Sequence, residues 1–154
     1  MRLSRTGNPR RRQVAEMSGG VARRVTAASV PERGTATWSN CLVLGNEISM
    51  SGMTANPEST AAAPLGTYEQ TLIVLGKIRA LVEAAGGGVQ NIYKLVIYVT
   101  NIQDKDEVGR ARKEFFRAPY PCSTLVEVRG LVFPGLTVEI DAFARLDIAL
   151  RADA

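Results

Sequence analysis

The stretch from Leu75 to Thr100 constrains the fold most, because its hydrophobic period changes partway along. Leu75, Ile78, Leu81, Val82 and Ala85 recur at three- and four-residue steps, the spacing of one helix face. Gly86-Gly87-Gly88 follows, and glycine accepts the left-handed backbone on which helices commonly end. Beyond it Tyr93, Leu95, Ile97 and Val99 alternate with Lys94, Val96, Tyr98 and Thr100, the period of a strand with a buried face. Helix and strand in that order imply a layered structure, helix on sheet.

The flanking segments extend the pattern. Val21–Ala28 is a strand candidate, and Trp38–Leu44 alternates before Gly45-Asn46, a pair suited to a hairpin turn. Ile48–Met53 returns as the partner strand, and residues 54–64 read as a loop. Asp104 and Glu107 resemble a capping box opening a second helix, with Val108, Ala111 and Phe115 on its apolar face. Pro119 and Pro121 end it. Two further strands, Ser123–Val128 and Leu136 to about Asp147, are joined by a turn at Pro134-Gly135. The order β-β-β-α-β-α-β-β predicts an α+β fold with both helices on one face of a mixed sheet. The other face would be bare, and Leu125 and Phe143, expected there, would be covered by another subunit.

Charge separates an arm from a body. Residues 1–24 hold seven arginines and one acid, +6, so the rest of a chain of net charge +4 carries −2. Residues 1–19 are expected to be a basic, disordered arm, and 20–154 a single domain. A nucleic-acid partner would rest on Arg10-Arg11-Arg12 alone and is not expected. No apolar run is long enough to span a bilayer, no apolar segment follows the basic start, and two cysteines make no disulfide framework. A cytoplasmic protein without a membrane partner is the simplest reading.

The chain has no histidine. That excludes Ser-His and Cys-His nucleophiles and histidine-based metal sites, leaving proton transfer to carboxylate, Tyr, Lys or Cys. No metal or cofactor is expected. Glu139 lies mid-strand in V-E-I-D: a solvated sheet face explains it plainly, a cleft carboxylate that activates water explains it functionally. Asp141 raises the same question. Cys122, after Pro121, is read as a packing thiol and Cys41 as core, while Trp38 could pack inside or stack on a ligand.

Three blocks carry a resemblance. The run V-L-G-K-I-R-A-L-V-E-A-A-G-G-G-V-Q-N-I-Y-K-L-V-I-Y-V-T-N-I-Q-D resembles the middle of the Rid/YjgF family, the reactive-intermediate deaminases, also called L-PSP endoribonucleases or translation inhibitors. W-S-N-C-L-V-L-G-N-E-I-S-M-S-G and P-G-L-T-V-E-I-D-A-F-A are similar to two further family blocks, and the likeness runs from about Val30 to Leu146. It implies a chorismate-mutase-like fold, a homotrimer with ligand clefts between subunits, and cofactor-free hydrolysis of enamines and imines. Glu139 falls on the family's catalytic glutamate and Ser51, before Gly52, on its site serine; Trp38 replaces the usual tyrosine.

Ser123, two residues before Leu125, stands where the family carries the arginine that grips a substrate carboxylate, and Gly109 stands at its helix asparagine. Losing that guanidinium would cost on the order of 2–5 kcal/mol. The resemblance therefore implies either an altered substrate or a replacement cation, with Arg110, Arg112 and Arg129 as candidates. The alternatives to a deaminase are a trimer that binds a small molecule without turnover and an RNA-directed translation inhibitor.

Overall fold

A computed structural model describes residues 20–151, so the expected arm lies outside the described residues. Helix α1 (Thr67–Ala84) carries Val74, Leu75, Ile78, Leu81 and Val82 on its buried face, all 0 % exposed. Burying each such side chain contributes about 1.5–3 kcal/mol. The helix ends as Gly86-Gly87-Gly88 predicts. Gly86 has φ of 100°, its N–H donates to the Glu83 carbonyl, and the Gly87 N–H donates to the Val82 carbonyl. These two reverse bonds satisfy carbonyls that a helix end otherwise orphans.

Helix α2 (Lys105–Phe115) packs beside α1 through Val108 and Ala111. Its expected capping box does not form. The Asp104 carboxylate instead accepts from the Thr67 hydroxyl at 2.8 Å, and Glu107 accepts from the Tyr68 N–H at 3.1 Å. Tyr68 lies in the first turn of α1, so an acid of the second helix caps the first, where negative charge is favoured. Helix α1 also begins earlier than the apolar period shows, because its first turn is polar: Thr67, Gln70 and Thr71 are buried and hydrogen-bonded.

Both helices cover one face of a six-stranded sheet ordered β1 (Arg23–Arg24), β2 (Cys41–Leu44), β3 (Glu47–Thr54), β6 (Val138–Arg145), β4 (Ile92–Val99), β5 (Cys122–Glu127). Only β4 and β5 run parallel. The expected α+β element order holds, with strand bounds that differ. The first strand is two residues rather than eight, with only an isolated Ala27–Val30 bridge beyond it, and Trp38 precedes β2 instead of opening it. Alternation puts Leu95, Ile97, Val99, Val138, Ile140, Ala142 and Ala144 against the helices, none more than 1 % exposed. Val96, Tyr98, Glu139, Asp141 and Phe143 face the uncovered side, each half-buried.

Leu125 does not share that side. The parallel register pairs it with Ile97 and Ser123 with Leu95, so both lie on the helix face, and Leu125 packs against the core there. Alternation along the edge strand alone leaves that choice of face open, and the register decides it.

One buried amide ties loops to this frame. Gln70, 0 % exposed, donates to the carbonyls of Leu65 and Gly135 at 2.8 and 3.0 Å and accepts from the Thr137 N–H at 3.0 Å. It thereby holds the segment entering α1 and the start of β6.

Replacing Gly86 by alanine should cost about 1–2 kcal/mol through the left-handed backbone that its cap requires. Urea unfolding of Gly86→Ala with an unchanged midpoint would contradict that account.

Candidate active site

The pairing of β3 with β6 slips between Met50 and Met53, so Ser51 and Gly52 together face Asp141. This bulge brings the β3 backbone under Glu139. The Glu139 carboxylate lies against Gly52 so closely that a Cβ there would overlap Oε1. Burial, and secondarily repulsion from Asp141, raises the Glu139 pKa above its ordinary value, and no hydrogen bond offsets that shift. Asp141 differs, since the Tyr98 hydroxyl donates to its Oδ2 at 3.1 Å. The sheet face therefore holds one hydrogen-bonded carboxylate and one whose pKa burial raises.

Glu139 lines a cleft of about 630 Å³ with Trp38, Asn40, Ser51, Gly52 and Phe133. Trp38 is 59 % exposed, which settles its alternatives against core packing, and its Nε1 donates to Asn40 Oδ1 at 3.2 Å. The Ser51 hydroxyl donates to the Ser39 carbonyl at 2.7 Å. Beneath them the Glu32 carboxylate, 8 % exposed, accepts from the Asn40 N–H at 2.6 Å and pairs with Arg24 at 3.3 Å. At the far wall Lys77 donates to the Thr54 and Asn56 carbonyls at 3.0 and 2.7 Å and to Glu58 at 2.9 Å. Those three acceptors match its three donors, so its charge is already satisfied. Glu32 lies outside the family-like blocks, Asn40 and Lys77 lie within them without a role of their own, and the fold collects all three here.

The other predicted residues lie elsewhere. Ser123 and Leu125 are on the opposite sheet face and line no part of this cleft. Among the predicted cations, the Arg110 guanidinium stacks 3.8 Å from the centre of the Tyr68 ring, and Arg129 is exposed. Arg112 is half-buried, and its Nη1 donates to the Ser123 hydroxyl at 2.6 Å. Burial lowers its pKa from the ordinary arginine value. Gly109, one turn earlier on α2, adds no side chain over this guanidinium. Cys122 is exposed, not packed, because the edge strand leaves it uncovered; Cys41 is fully buried, and burial pushes its thiol up to about 11. Among the described residues no His, Cys, Asp or Glu cluster could hold a metal ion, and no helix is long and apolar enough to cross a membrane.

A mixed six-stranded sheet carrying two helices on one side is also the fold of solved Rid-family structures, among them RidA of a Psychrobacter species, 26 % identical over 80 % of this chain and 98 % of its own with a TM-score of 0.70. Residues 30–146 match the family described as Endoribonuclease L-PSP, and the chain belongs to that family. Protein PA3499 of Pseudomonas aeruginosa, a solved structure of unknown function, is 57 % identical over 86 % of this chain and 99 % of its own, with a TM-score of 0.83. The putative reactive intermediate deaminase TdcF of Escherichia coli is 30 % identical over 66 % of this chain and 80 % of its own. The 2-iminobutanoate/2-iminopropanoate deaminase of Capra hircus is 28 % identical over 83 % and 93 %.

The raised Glu139 pKa has a thermodynamic signature. The folded protein keeps that proton to higher pH than the unfolded chain, so the associated stability is complete below the ordinary glutamate pKa, about 4.3. It is lost as pH rises through the folded-state value. Glu139→Gln should therefore be more stable than wild type at neutral pH, the difference closing as pH falls. In Gly52→Ala the methyl excludes the carboxylate, and replacing Glu139 in that background should show no such pH dependence. Thermal melts of the four proteins from pH 4 to 8 check both; identical pH profiles in the two backgrounds would refute the close approach.

Proposed function

We propose that this chain hydrolyses the C=N bond of small imines, and of enamines that tautomerise to them, with altered specificity at clefts between the subunits of a homotrimer. One observation carries the reading: a glutamate with a raised pKa lies unpaired in a cleft beside an exposed tryptophan and a serine oxygen. A carboxyl poised nearer neutrality can both take and return a proton. Relatives named as iminobutanoate and iminopropanoate deaminases support the reaction class.

The steps need no group beyond the chain, the substrate and water. Glu139 accepts a proton from water as its oxygen attacks the imine carbon, and the C=N electron pair moves to nitrogen. The carboxylic acid so formed returns the proton to that nitrogen. Collapse of the carbinolamine to C=O then expels ammonia, and the hydroxyl proton leaves with it. Trp38 offers a face on which a flat C=N substrate can stack, and Ser51 Oγ offers an acceptor for the substrate N–H. An enamine enters the same sequence once the protonated Glu139 has delivered its proton to the enamine carbon.

The half-exposed sheet face supports the assembly. Phe143, Val96 and Tyr98 lie there, Val126 is 42 % exposed at the edge, and another subunit would cover them.

Ammonia release is to be measured on freshly generated imines, among them 2-iminobutanoate and an aminomuconate-type enamine. Wild type should accelerate release from at least one, and Glu139→Gln should lower kcat by about 10²–10⁴-fold, the usual contribution of a positioned acid–base group. Equal inertness of the two proteins across the panel would sink the proposal.

A further inference from the structure

Among the described residues eight large apolar side chains are exposed, and three of them, Trp38, Val132 and Phe133, line the Glu139 cleft. Apolar surface is thus gathered around the glutamate rather than scattered singly over the molecule. The tryptophan is also held in place. Its Nε1 donates to Asn40 Oδ1, the Asn40 N–H donates to the Glu32 carboxylate, and the Asn40 carbonyl accepts from the Ser51 N–H at 3.0 Å. With the indole N–H spent inside the protein, the ring offers a ligand its flat face alone.

Charge in the cleft is equally selective. Five charged side chains line it: Glu32, Arg33, Glu58, Lys77 and Glu139. Glu32 pairs with Arg24 at 3.3 Å and Glu58 with Lys77 at 2.9 Å, which leaves Glu139 within and Arg33 exposed at the wall. Lys77 has no donor to spare, and Arg110, Arg112 and Arg129 line no part of the cleft. An anionic ligand would therefore meet an unpaired glutamate, and its one lining partner would be an arginine that must first be ordered out of water.

We infer that the cleft takes imines that carry an aryl group and no carboxylate next to the C=N carbon, with Trp38 as the residue that selects them. The inference rests on the hydrolase reading and adds the substrate class to it: water adds across C=N, and the products are ammonia and an aryl-bearing aldehyde or ketone. The aryl group stacks on the Trp38 face beside Phe133 and Val132, and a cleft of about 630 Å³ holds a ring with a short chain. The imine nitrogen, a cation once protonated, is drawn both to Glu139 and to the indole ring. In a 2-imino acid the carboxylate is bonded to the carbon that water attacks, so it would be forced beside Glu139. A subunit laid over the half-buried sheet face would exclude water from the cleft and sharpen both preferences.

Benzamidine is a stable, flat counterpart of a protonated aryl imine; acetamidine lacks its ring, and benzoate reverses its charge. In calorimetric titration, wild type should bind benzamidine at least about tenfold more tightly than either. Trp38→Ala should weaken benzamidine by about tenfold, the loss of one stacking and cation–π contact, and bring it near acetamidine. Trp38→Phe keeps a smaller ring and should fall between. Glu139→Gln should weaken both amidines without weakening benzoate. Flavin-dependent oxidation of 2-phenylethylamine and of phenylalanine releases imines that differ only in the carboxylate. Wild type should accelerate ammonia release from the first at least about tenfold more than from the second.

Benzoate bound as tightly as benzamidine overturns the inference. So do equal binding of the two amidines, no binding of benzamidine, and benzamidine binding that Trp38→Ala leaves intact. Trp38-dependent binding of benzamidine without ammonia release from either imine would remove the hydrolase reading and uphold the selectivity. Faster release from the phenylalanine imine would keep the hydrolase reading and overturn the substrate class.

Discussion

The sheet is covered on one side only, and the period-2 alternation of its strands turns that asymmetry into chemistry. On the central strands β4 and β6 the residues that face α1 and α2 are apolar and buried, so Leu95, Ile97, Ile140 and Ala142 form core with no polar exception among them. Their neighbours at odd and even steps are committed to the other face. There Glu139, Asp141 and Tyr98 can carry charge and hydrogen bonds without disturbing the core. A slip of one residue in any central strand would exchange the two sets and bury the carboxylates.

Within that frame the carboxylates are set apart by small local features. The bulge at Ser51-Gly52 brings backbone beneath Glu139, and a tyrosine hydroxyl takes up Asp141. Two acids two residues apart on one strand thus end in different surroundings: Asp141 accepts a tyrosine hydroxyl, while burial raises the pKa of Glu139. Gln70 holds the chain entering β6, so the strand bearing both is anchored from within.

Much of this was legible in the sequence where periodicity was strong. The α1–Gly-Gly-Gly–β4 unit, β3 and β6 stand where their patterns place them, and Glu139, Ser51, Gly52 and Trp38 do converge on one cleft. Legibility ended where a long-range partner decides the outcome. Asp104 and Glu107 look like a local capping box, but Thr67 and the first turn of α1 compete for the same oxygens and win. Leu125 is expected on the bare face from its edge strand alone, and the parallel register with Ile97 turns it to the helix face instead. Glu32 and Lys77 show nothing in sequence because their partners are mostly backbone carbonyls and amides, to which any polar side chain could bond. Ser123 was informative through what it replaced, while its bond to Arg112 spans a helix and a strand that no spacing rule connects.

The Ser51 hydroxyl has one proton, and the Ser39 carbonyl already receives it. Toward the cleft Oγ therefore shows lone pairs alone, beside a glutamate that is itself an acceptor when ionised. Such a wall has a polarity: it admits a nitrogen that brings hydrogens and disfavours a carbonyl oxygen presented in the same place. In the hydrolysis proposed above, such a pocket would tell the two ends of the reaction apart, holding the nitrogen of what enters more firmly than the oxygen of what leaves.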